Sequence, residues 1–426
     1  MVRRRQRQFL TDGNTRTGGA RDPCHGGVDP VKSRSRRYSP DGRRVRMSTS
    51  CSDRDTPMKI GDFFMVDKKA ERYMALALEL ARKGEGKTSP NPMVGAVIVK
   101  GGRIIGRGFH KKAGTPHAEI HALNQAGPAA RGATLYVNLE PCCHHGRTKP
   151  CADEIIRAGI TEVYYSIKDP NPIVSGKGAA KLRKAGVKVS SGILRKEAEK
   201  LNEIYIKNIT TGLPFVILKS AQTLDGRIAA AGGDSKWITG VRARKMGHRL
   251  RALCDAVAVG GGTARTDDPE LTVRMVKGKN PYRIIISESF DLPRSLKLFK
   301  NNHDARTIVA TSARSANKSR IKNSIVWTIK KNGRRLSVPD FLEKAGRFGV
   351  TSILVEGGSE LATSFLKDGL VDKHYIFIAP KVIGRGVEAV GDMKIKRPAD
   401  GIEYENITFI DNIAPDILIV GYPRGK

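Results

Sequence analysis

Long apolar runs are missing from this 426-residue chain. No stretch reaches the roughly eighteen apolar residues that a membrane-crossing helix needs, so no membrane role is expected. Cysteine is scarce at 6 residues, and Cys142, Cys143 and Cys151 are crowded into one stretch. That leaves too few for a disulfide framework and suits a reducing, cytoplasmic compartment. Aromatic residues make up 6% of the chain with only 2 Trp, and acidic residues are outnumbered 42 to 76, giving a formal charge of +34. Such a surplus attracts anions: nucleic acid, an anionic membrane surface or phosphorylated small molecules. The basic residues are scattered through every segment and stacking aromatics are few, so no nucleic-acid partner is expected. Phosphorylated small molecules fit the charge better.

Apolar residues are also absent from most of the first sixty positions, which run in Arg, Gly, Ser and Asp. This composition cannot support a packed core, and residues 1–64 read as a disordered basic extension. There is no apolar segment for a secretory signal, and Asp12, Asp22, Asp29 and Asp41 argue against an organellar transit peptide. The segment reads either as a basic tail or as translated sequence upstream of a working start at Met58 or Met65. The remaining length accommodates two domains, each able to bury its own core.

What the chain does contain is Pro116-His117-Ala118-Glu119 followed by Glu140-Pro141-Cys142-Cys143-His144-His145-Gly146-Arg147-Thr148-Lys149-Pro150-Cys151. One imidazole and two thiolates fill three tetrahedral positions of Zn²⁺ and leave one for water, the arrangement of a catalytic rather than a structural zinc. Glu119, two residues after His117, is a carboxylate free to shuttle protons. His-x-Glu, then Pro-Cys and a later Cys, is the pattern of zinc deaminases.

Around this motif the periodicity predicts a helix after Asp67 with Tyr73, Leu76, Ala77 and Leu80 on its apolar face. Strands 93–99 and 103–109 flank a Lys-Gly-Gly hairpin signal. A helix from His117, a strand over 134–139, a helix from Cys151 to Gly159, a strand over 163–166, a helix over 179–185 and a strand over 187–189 follow. This order implies one sheet between helices, with metal ligands at two helix starts. Thr210-Thr211-Gly212-Leu213-Pro214 breaks the pattern, so the first domain spans 65–211 and the second 212–426. In the latter, a helix leading through Arg251 and apolar strands near 215–219, 256–259, 283–286, 307–310, 353–355, 375–378 and 417–420 describe an α/β domain on a mainly parallel sheet. Gly260-Gly261-Gly262-Thr263 and Glu356-Gly357-Gly358-Ser359 are strand ends able to cradle a dinucleotide, the second beside a helix start.

Eight residues separate Cys142 from Cys151, unlike the Pro-Cys-x-x-Cys of nucleoside deaminases. The loop instead resembles that of the bifunctional riboflavin-biosynthesis deaminase/reductases, Glu-Pro-Cys-x-His-His-Gly-x-Thr-x-Pro-Cys. Leu218-Lys219-x-Ala221-x-x-Leu224-Asp225-Gly226-Arg227, Ser235-x-Trp237-Ile238-Thr239, Thr263-x-x-x-Asp267-Asp268-Pro269-x-Leu271-Thr272-Val273-Arg274 and Val355-Glu356-Gly357-Gly358 resemble the reductase half. The resemblance covers the chain from about Met65 onward. It implies a cytidine-deaminase-like α/β/α sandwich followed by a dihydrofolate-reductase-like α/β domain. It implies Zn²⁺ on His117, Cys142 and Cys151, with Glu119 as the catalytic proton shuttle. Cys143 stands where Ser is usual and is a rival ligand. The implied substrate contacts of the deaminase are Asn91, His144 and Arg147. NADPH falls to Ala221, Trp237, Thr263, Asp267 and Gly358, and the reductase substrate to Ser235, Arg251, Leu271, Arg274 and Glu356. Arg251 and Arg274 are then the phosphate partners, and Asp267 or Glu356 the proton source. The expected partners are phosphorylated pyrimidines and further copies of the chain in a homo-oligomer.

Overall fold

A computed structural model describes residues 68–144, 149–304, 306–312, 321 and 323–424. The expected extension, the Asp67 cap and Arg147 lie outside the described residues.

Helix α1 (Lys68–Arg82) leads into β1 (Gly95–Lys100) and β2 (Arg103–Phe109), antiparallel strands joined through Gly101 and Gly102 at positive φ. Then come α2 (Ala118–Ala126), β3 (Thr134–Leu139), α3 (Cys151–Arg157), β4 (Glu162–Ile167), α4 (Lys177–Lys184), β5 (Lys188–Ser191), α5 (Arg195–Leu201) and α6 (Glu203–Thr211). The sheet order is β2-β1-β3-β4-β5, with β3, β4 and β5 parallel. Strand alternation splits β1 between two apolar layers. Ala96 and Ile98 pack with Ala118, Ala122, Ile155 and Leu182 of α2, α3 and α4, while Val97 and Val99 pack with Met74 and Ala77 of α1. This is the expected sandwich.

Gly108 decides how closely α2 approaches. A Cβ there would lie 2.1 Å from the Ala118 carbonyl oxygen and 2.7 Å from the Ala122 nitrogen. The bare strand lets the helix that starts at His117 rest directly on β2.

Three expectations are corrected here. The first strand starts at Gly95, because the Met93 backbone is taken up elsewhere: its N–H donates to Asn202 Oδ1, and its carbonyl accepts from Asn138 and Asn202 Nδ2. The buried face of α1 is formed by Ala70, Met74, Ala77, Leu78, Leu80 and Ala81, with Tyr73 and Leu76 only half-buried. Helices α5 and α6 were not anticipated, since α5 is mostly charged and α6 has no fully buried residue.

The chain continues through β6 (Phe215–Thr223), β7 (Arg227–Ala230), α7 (Val241–Leu253), β8 (Ala256–Gly260), α8 (Gly261–Asp267), β9 (Tyr282–Ile286), α9 (Lys297–Lys300), β10 (Thr307–Thr311) and β11 (Ser324–Thr328). A small hairpin, β12 (Lys331–Asn332) and β13 (Arg335–Leu336), precedes α10 (Val338–Arg347), β14 (Ser352–Val355), α11 (Ser359–Lys367), β15 (Lys373–Ala379), β16 (Gly386–Glu388), β17 (Tyr404–Ile410) and β18 (Ile417–Pro423). The main sheet runs β11-β10-β9-β8-β14-β6-β15-β18-β17. It is parallel up to β15, as expected, but β18 and β17 add antiparallel. Val257 and Val259 face one apolar layer, Ala256 and Ala258 the other, so β8 is buried on both sides. Among the described residues no helix is long and apolar enough to cross a membrane.

Candidate active sites

His117 caps the N-terminus of α2 with an extended backbone, and Cys151 is the first residue of α3. Cys142 sits in the loop after β3, where its sulfur accepts the Cys151 N–H at 3.3 Å and its carbonyl accepts the Ala152 N–H at 3.0 Å. His117 Nδ1 lies 3.2 Å from Cys151 Sγ and 3.6 Å from Cys142 Sγ. The three ligand atoms all fall within 4.8 Å of one another. Cys143 is not part of this cluster, so the geometry selects Cys142 and Cys151.

The donor set fits a soft divalent cation. A hydrogen bond from the Cys151 thiol, with the His117 ring nearby, holds Cys142 well below the usual thiol value, while that bond and burial push Cys151 up. The bond to Cys142 raises His117 to about 8. The half-buried Cys142 and the buried Cys151 therefore compete for one proton, a conflict that a dication binding both as thiolates removes. Glu119 is 3% exposed, its Oε2 has no hydrogen-bond partner, and burial raises its pKa.

These groups open on a cavity of about 530 Å³ lined by Asn91, His117, Glu119, Cys142 and His144, among others. His144 Nδ1 is also buried without a partner. Asn91 Nδ2 lies 3.1 Å from His110 Nε2, while His110 Nδ1 lies 3.2 Å from the Pro116 carbonyl and its ring meets that of His117 edge-on. His110 and Glu140 escaped the sequence reading. Glu140, 2% exposed, accepts N–H bonds from Asp169, Gly176 and Ala179, and so moors the start of the Cys142 loop to the segment that runs from the end of β4 into α4. Glu140 was visible within the Glu-Pro-Cys motif; nothing local marked His110.

All ten residues expected around the second site line one cavity of about 500 Å³. They are Ala221, Ser235, Trp237, Arg251, Thr263, Asp267, Leu271, Arg274, Glu356 and Gly358. At its floor Arg251 grips Glu356 in a two-pronged pair, Nε to Oε1 at 2.6 Å and Nη2 to Oε2 at 3.0 Å, and also donates Nη1 to the Thr272 carbonyl. Burial alone would raise the Glu356 pKa, but the Arg251 charge and hydrogen bonds, helped by Lys219, bring it down to about 2. Lys219, half-buried and 3.9 Å from Glu356, and His248, whose ring nitrogen accepts the Arg274 N–H, also line the cavity. Neither was singled out from the sequence, although Lys219 stands in the Leu-Lys-x-Ala stretch. Trp237 is 64% exposed with the Arg244 guanidinium 4.3 Å from its ring centroid. Ser235 Oγ donates to Asp267 at 3.4 Å, and the Gly358 N–H donates to Thr263 Oγ1 at 3.1 Å. Thr263 and Gly358 also border an adjoining cavity of about 400 Å³ formed by both glycine-rich strand ends.

Fold and sites together define a zinc-dependent deaminase joined to a reductase on one chain. The comparisons agree. Residues 67–167 match the cytidine and deoxycytidylate deaminase zinc-binding region, and residues 214–409 match the RibD C-terminal domain. The riboflavin biosynthesis protein RibD of Aquifex aeolicus is 45% identical over 83% of this chain and 99% of its own length. RibD of Escherichia coli is 39% identical over 82% and 98%. Among solved structures, RibD of Acinetobacter baumannii superposes with a TM-score of 0.76 at 37% identity over 84% of this chain and 99% of its own. A diaminohydroxyphosphoribosylaminopyrimidine deaminase/5-amino-6-(5-phosphoribosylamino)uracil reductase of Thermotoga maritima gives 0.73 at 38% over the same shares.

The chain belongs to the RibD family of bifunctional riboflavin-biosynthesis enzymes. Its cofactors are Zn²⁺ for the deaminase and NADPH for the reductase.

Proposed function

We propose that the two centres act in turn on one phosphorylated pyrimidine. The first removes an amino group hydrolytically from 2,5-diamino-6-(5-phosphoribosylamino)pyrimidin-4(3H)-one. The second reduces the ribosyl side chain of the product to ribityl, giving 5-amino-6-(5-phosphoribitylamino)uracil. The observation that carries this is the pairing, on one chain, of a His117/Cys142/Cys151 cluster beside the buried Glu119 carboxyl, whose Oε2 has no hydrogen-bond partner, with a separate cavity around Arg251 and Glu356. The Thermotoga maritima relative is named for the same two reactions.

In the first cavity His117, Cys142 and Cys151 hold the zinc, which supplies Lewis acidity that lowers the pKa of water. Glu119 carries the two protons of the attacking water in turn, the first to the ring nitrogen and the second to the leaving amine. Its buried, raised-pKa carboxyl suits a group that must both accept and give. Asn91, steadied by His110, contacts the pyrimidine and His144 meets its polar groups; the phosphate falls to Arg147 by the family resemblance alone.

In the second cavity Ala221, Trp237, Thr263, Asp267 and Gly358 contact NADPH, which supplies the hydride. Ser235, Arg251, Leu271, Arg274 and Glu356 surround the opened sugar. Glu356, held ionised by Arg251, is unsuited to give up a proton, which favours Asp267 as the source. The Arg251 fork is spent on Glu356, so Arg274, half-exposed, is the freer phosphate partner.

We assign deamination to residues 65–211 and reduction to 212–426, in the cytoplasm and without nucleic acid. Self-association is supported by the edge strand β17, whose Ile407 and Phe409 are 50% and 71% exposed. The test is Glu119→Gln. Ammonia release should fall by at least about a thousandfold with zinc still stoichiometric and reduction of the deaminated intermediate unchanged. Loss of zinc from this variant would make Glu119 a ligand and reject the shuttle.

A further inference from the structure

The loop that carries Asn91 leaves α1 at residue 83 and enters β1 at Gly95, yet it is anchored outside the sheet it serves. Ser89, two residues before Asn91, donates its hydroxyl to Asp255 Oδ2 at 2.7 Å. Asp255 belongs to the other half of the chain, in the turn between α7 and β8. The same Oδ2 also accepts the Thr351 hydroxyl at 2.7 Å and the Thr351 N–H at 3.1 Å, while Lys279 pairs with Oδ1. The carboxylate side chain is 12% exposed and Thr351 is buried, so this is a packed junction rather than a surface contact.

A second contact fixes the same loop. A Cβ added at Gly86 would lie 2.7 Å from the Ala252 carbonyl oxygen, so the loop backbone is pressed against the end of α7. Within the loop the Asn91 N–H donates to the Thr88 carbonyl at 2.8 Å, which makes Thr88 to Asn91 a closed turn. That turn is held on one side by His110, through the Asn91 side chain, and on the other by Asp255, through Ser89.

We infer that Asp255 and Ser89 are positioning residues for deamination: the reductase half sets the pose of Asn91 in the deaminase cavity. The inference rests on the reading of Asn91 as the pyrimidine contact. It follows physically from where the bonds go. A hydrogen bond to an ionised acceptor is roughly twice as strong as a neutral one, and it sits one short turn from a side chain that must meet a ring edge within a few tenths of an ångström. Releasing it leaves the turn held by the Asn91–His110 contact and by the Gly86 contact further up the loop, and frees the Asn91 side chain to shift between them. The zinc ligands, on α2, α3 and the Cys142 loop, do not depend on the Ser89 bond.

The experiment uses the full chain and compares Ser89→Ala, Ser89→Thr and Asn91→Ala. Ser89→Ala should raise the deamination KM about five- to tenfold, with a smaller change in kcat. Zinc content and reduction of the deaminated intermediate should stay at the parent values. Ser89→Thr, which keeps the hydroxyl, should restore the KM. A merely structural role would instead affect both activities together, and that result overturns the inference, as does an unchanged deamination KM in Ser89→Ala while Asn91→Ala is impaired. If Asn91→Ala itself deaminates normally, it is the reading of Asn91 that fails, and the inference with it. A double-mutant cycle adding Asp255→Asn completes the test: non-additive losses in deamination support a shared bond, and additive ones reject it.

Discussion

Replacing Glu356 by Gln keeps the volume and one acceptor but leaves Arg251 without its counter-charge. Both side chains are shielded, 14% exposed for Arg251 and 10% for Glu356. Removing one partner from such a pair costs roughly 3 to 5 kcal/mol, because the other charge stays buried and uncompensated. The carboxyl pKa leads to a similar magnitude: the gap between the ordinary 4.5 and about 2 corresponds to roughly 3 kcal/mol. We therefore expect Glu356→Gln to destabilise the protein by roughly 3 kcal/mol at pH 7. Because the folded pKa lies below the unfolded one, this contribution is complete above about pH 4.5 and is lost as pH falls through 2. The difference between parent and variant should thus be flat at neutral pH and shrink in acid. Urea unfolding followed by tryptophan emission reports on the right region, since the 2 Trp, Trp237 and Trp327, both belong to the part of the chain after β6 begins. An Arg251→Met/Glu356→Leu variant should recover most of the lost stability while remaining inactive as a reductase, since an apolar pair of similar size replaces a buried ion pair at little cost. A loss below about 1 kcal/mol in Glu356→Gln, or one that grows in acid, would refute the argument that Arg251 and Glu356 hold each other in place.

Cys143→Ser should retain one zinc per chain and most of the deaminase rate, whereas Cys142→Ser should lose both; metal analysis by mass spectrometry distinguishes them. Arg274→Ala should raise the reductase KM for the phosphorylated substrate by roughly fivefold, about 1 kcal/mol, with the NADPH KM unchanged, because the guanidinium is half-exposed and already shares its charge with Glu270. Steady-state kinetics with each substrate varied in turn would show it. Gly108→Ala should cost roughly 2 to 3 kcal/mol and weaken zinc retention against a chelator, since the new methyl drives α2, and His117 at its start, away from β2.

Much of the deaminase architecture could be read from the chain because its strands are short apolar runs and its turns carry glycine: β2 and β3 fall at the expected residues, and α2 and α3 begin at the zinc motif. Helix α5 could not be read, since Arg195–Leu201 shows a solvated, charge-paired surface and only Ala198 is buried. The antiparallel finish of the large sheet was hidden for another reason: an apolar run such as Ile417–Pro423 signals burial but not direction. The metal ligands were legible because Cys142 and Cys151 share one short loop and His117 precedes Glu119 by two residues. The supports of these groups were not. His110 reaches Asn91 across 19 residues, Glu356 reaches Arg251 across 105, and Ser89 reaches Asp255 across 166, and no local periodicity announces such partners.

The most direct test of two successive chemistries on one chain is a single reaction that starts from the diamino phosphoribosyl pyrimidine with NADPH present, following ammonia and NADPH together. The account predicts one ammonia released and one NADPH oxidised per substrate, with ammonia appearing first and with no NADPH consumed after zinc is removed until the deaminated intermediate is supplied. NADPH oxidation from the diamino substrate without ammonia, or ammonia release that persists in the zinc-free protein, would contradict it.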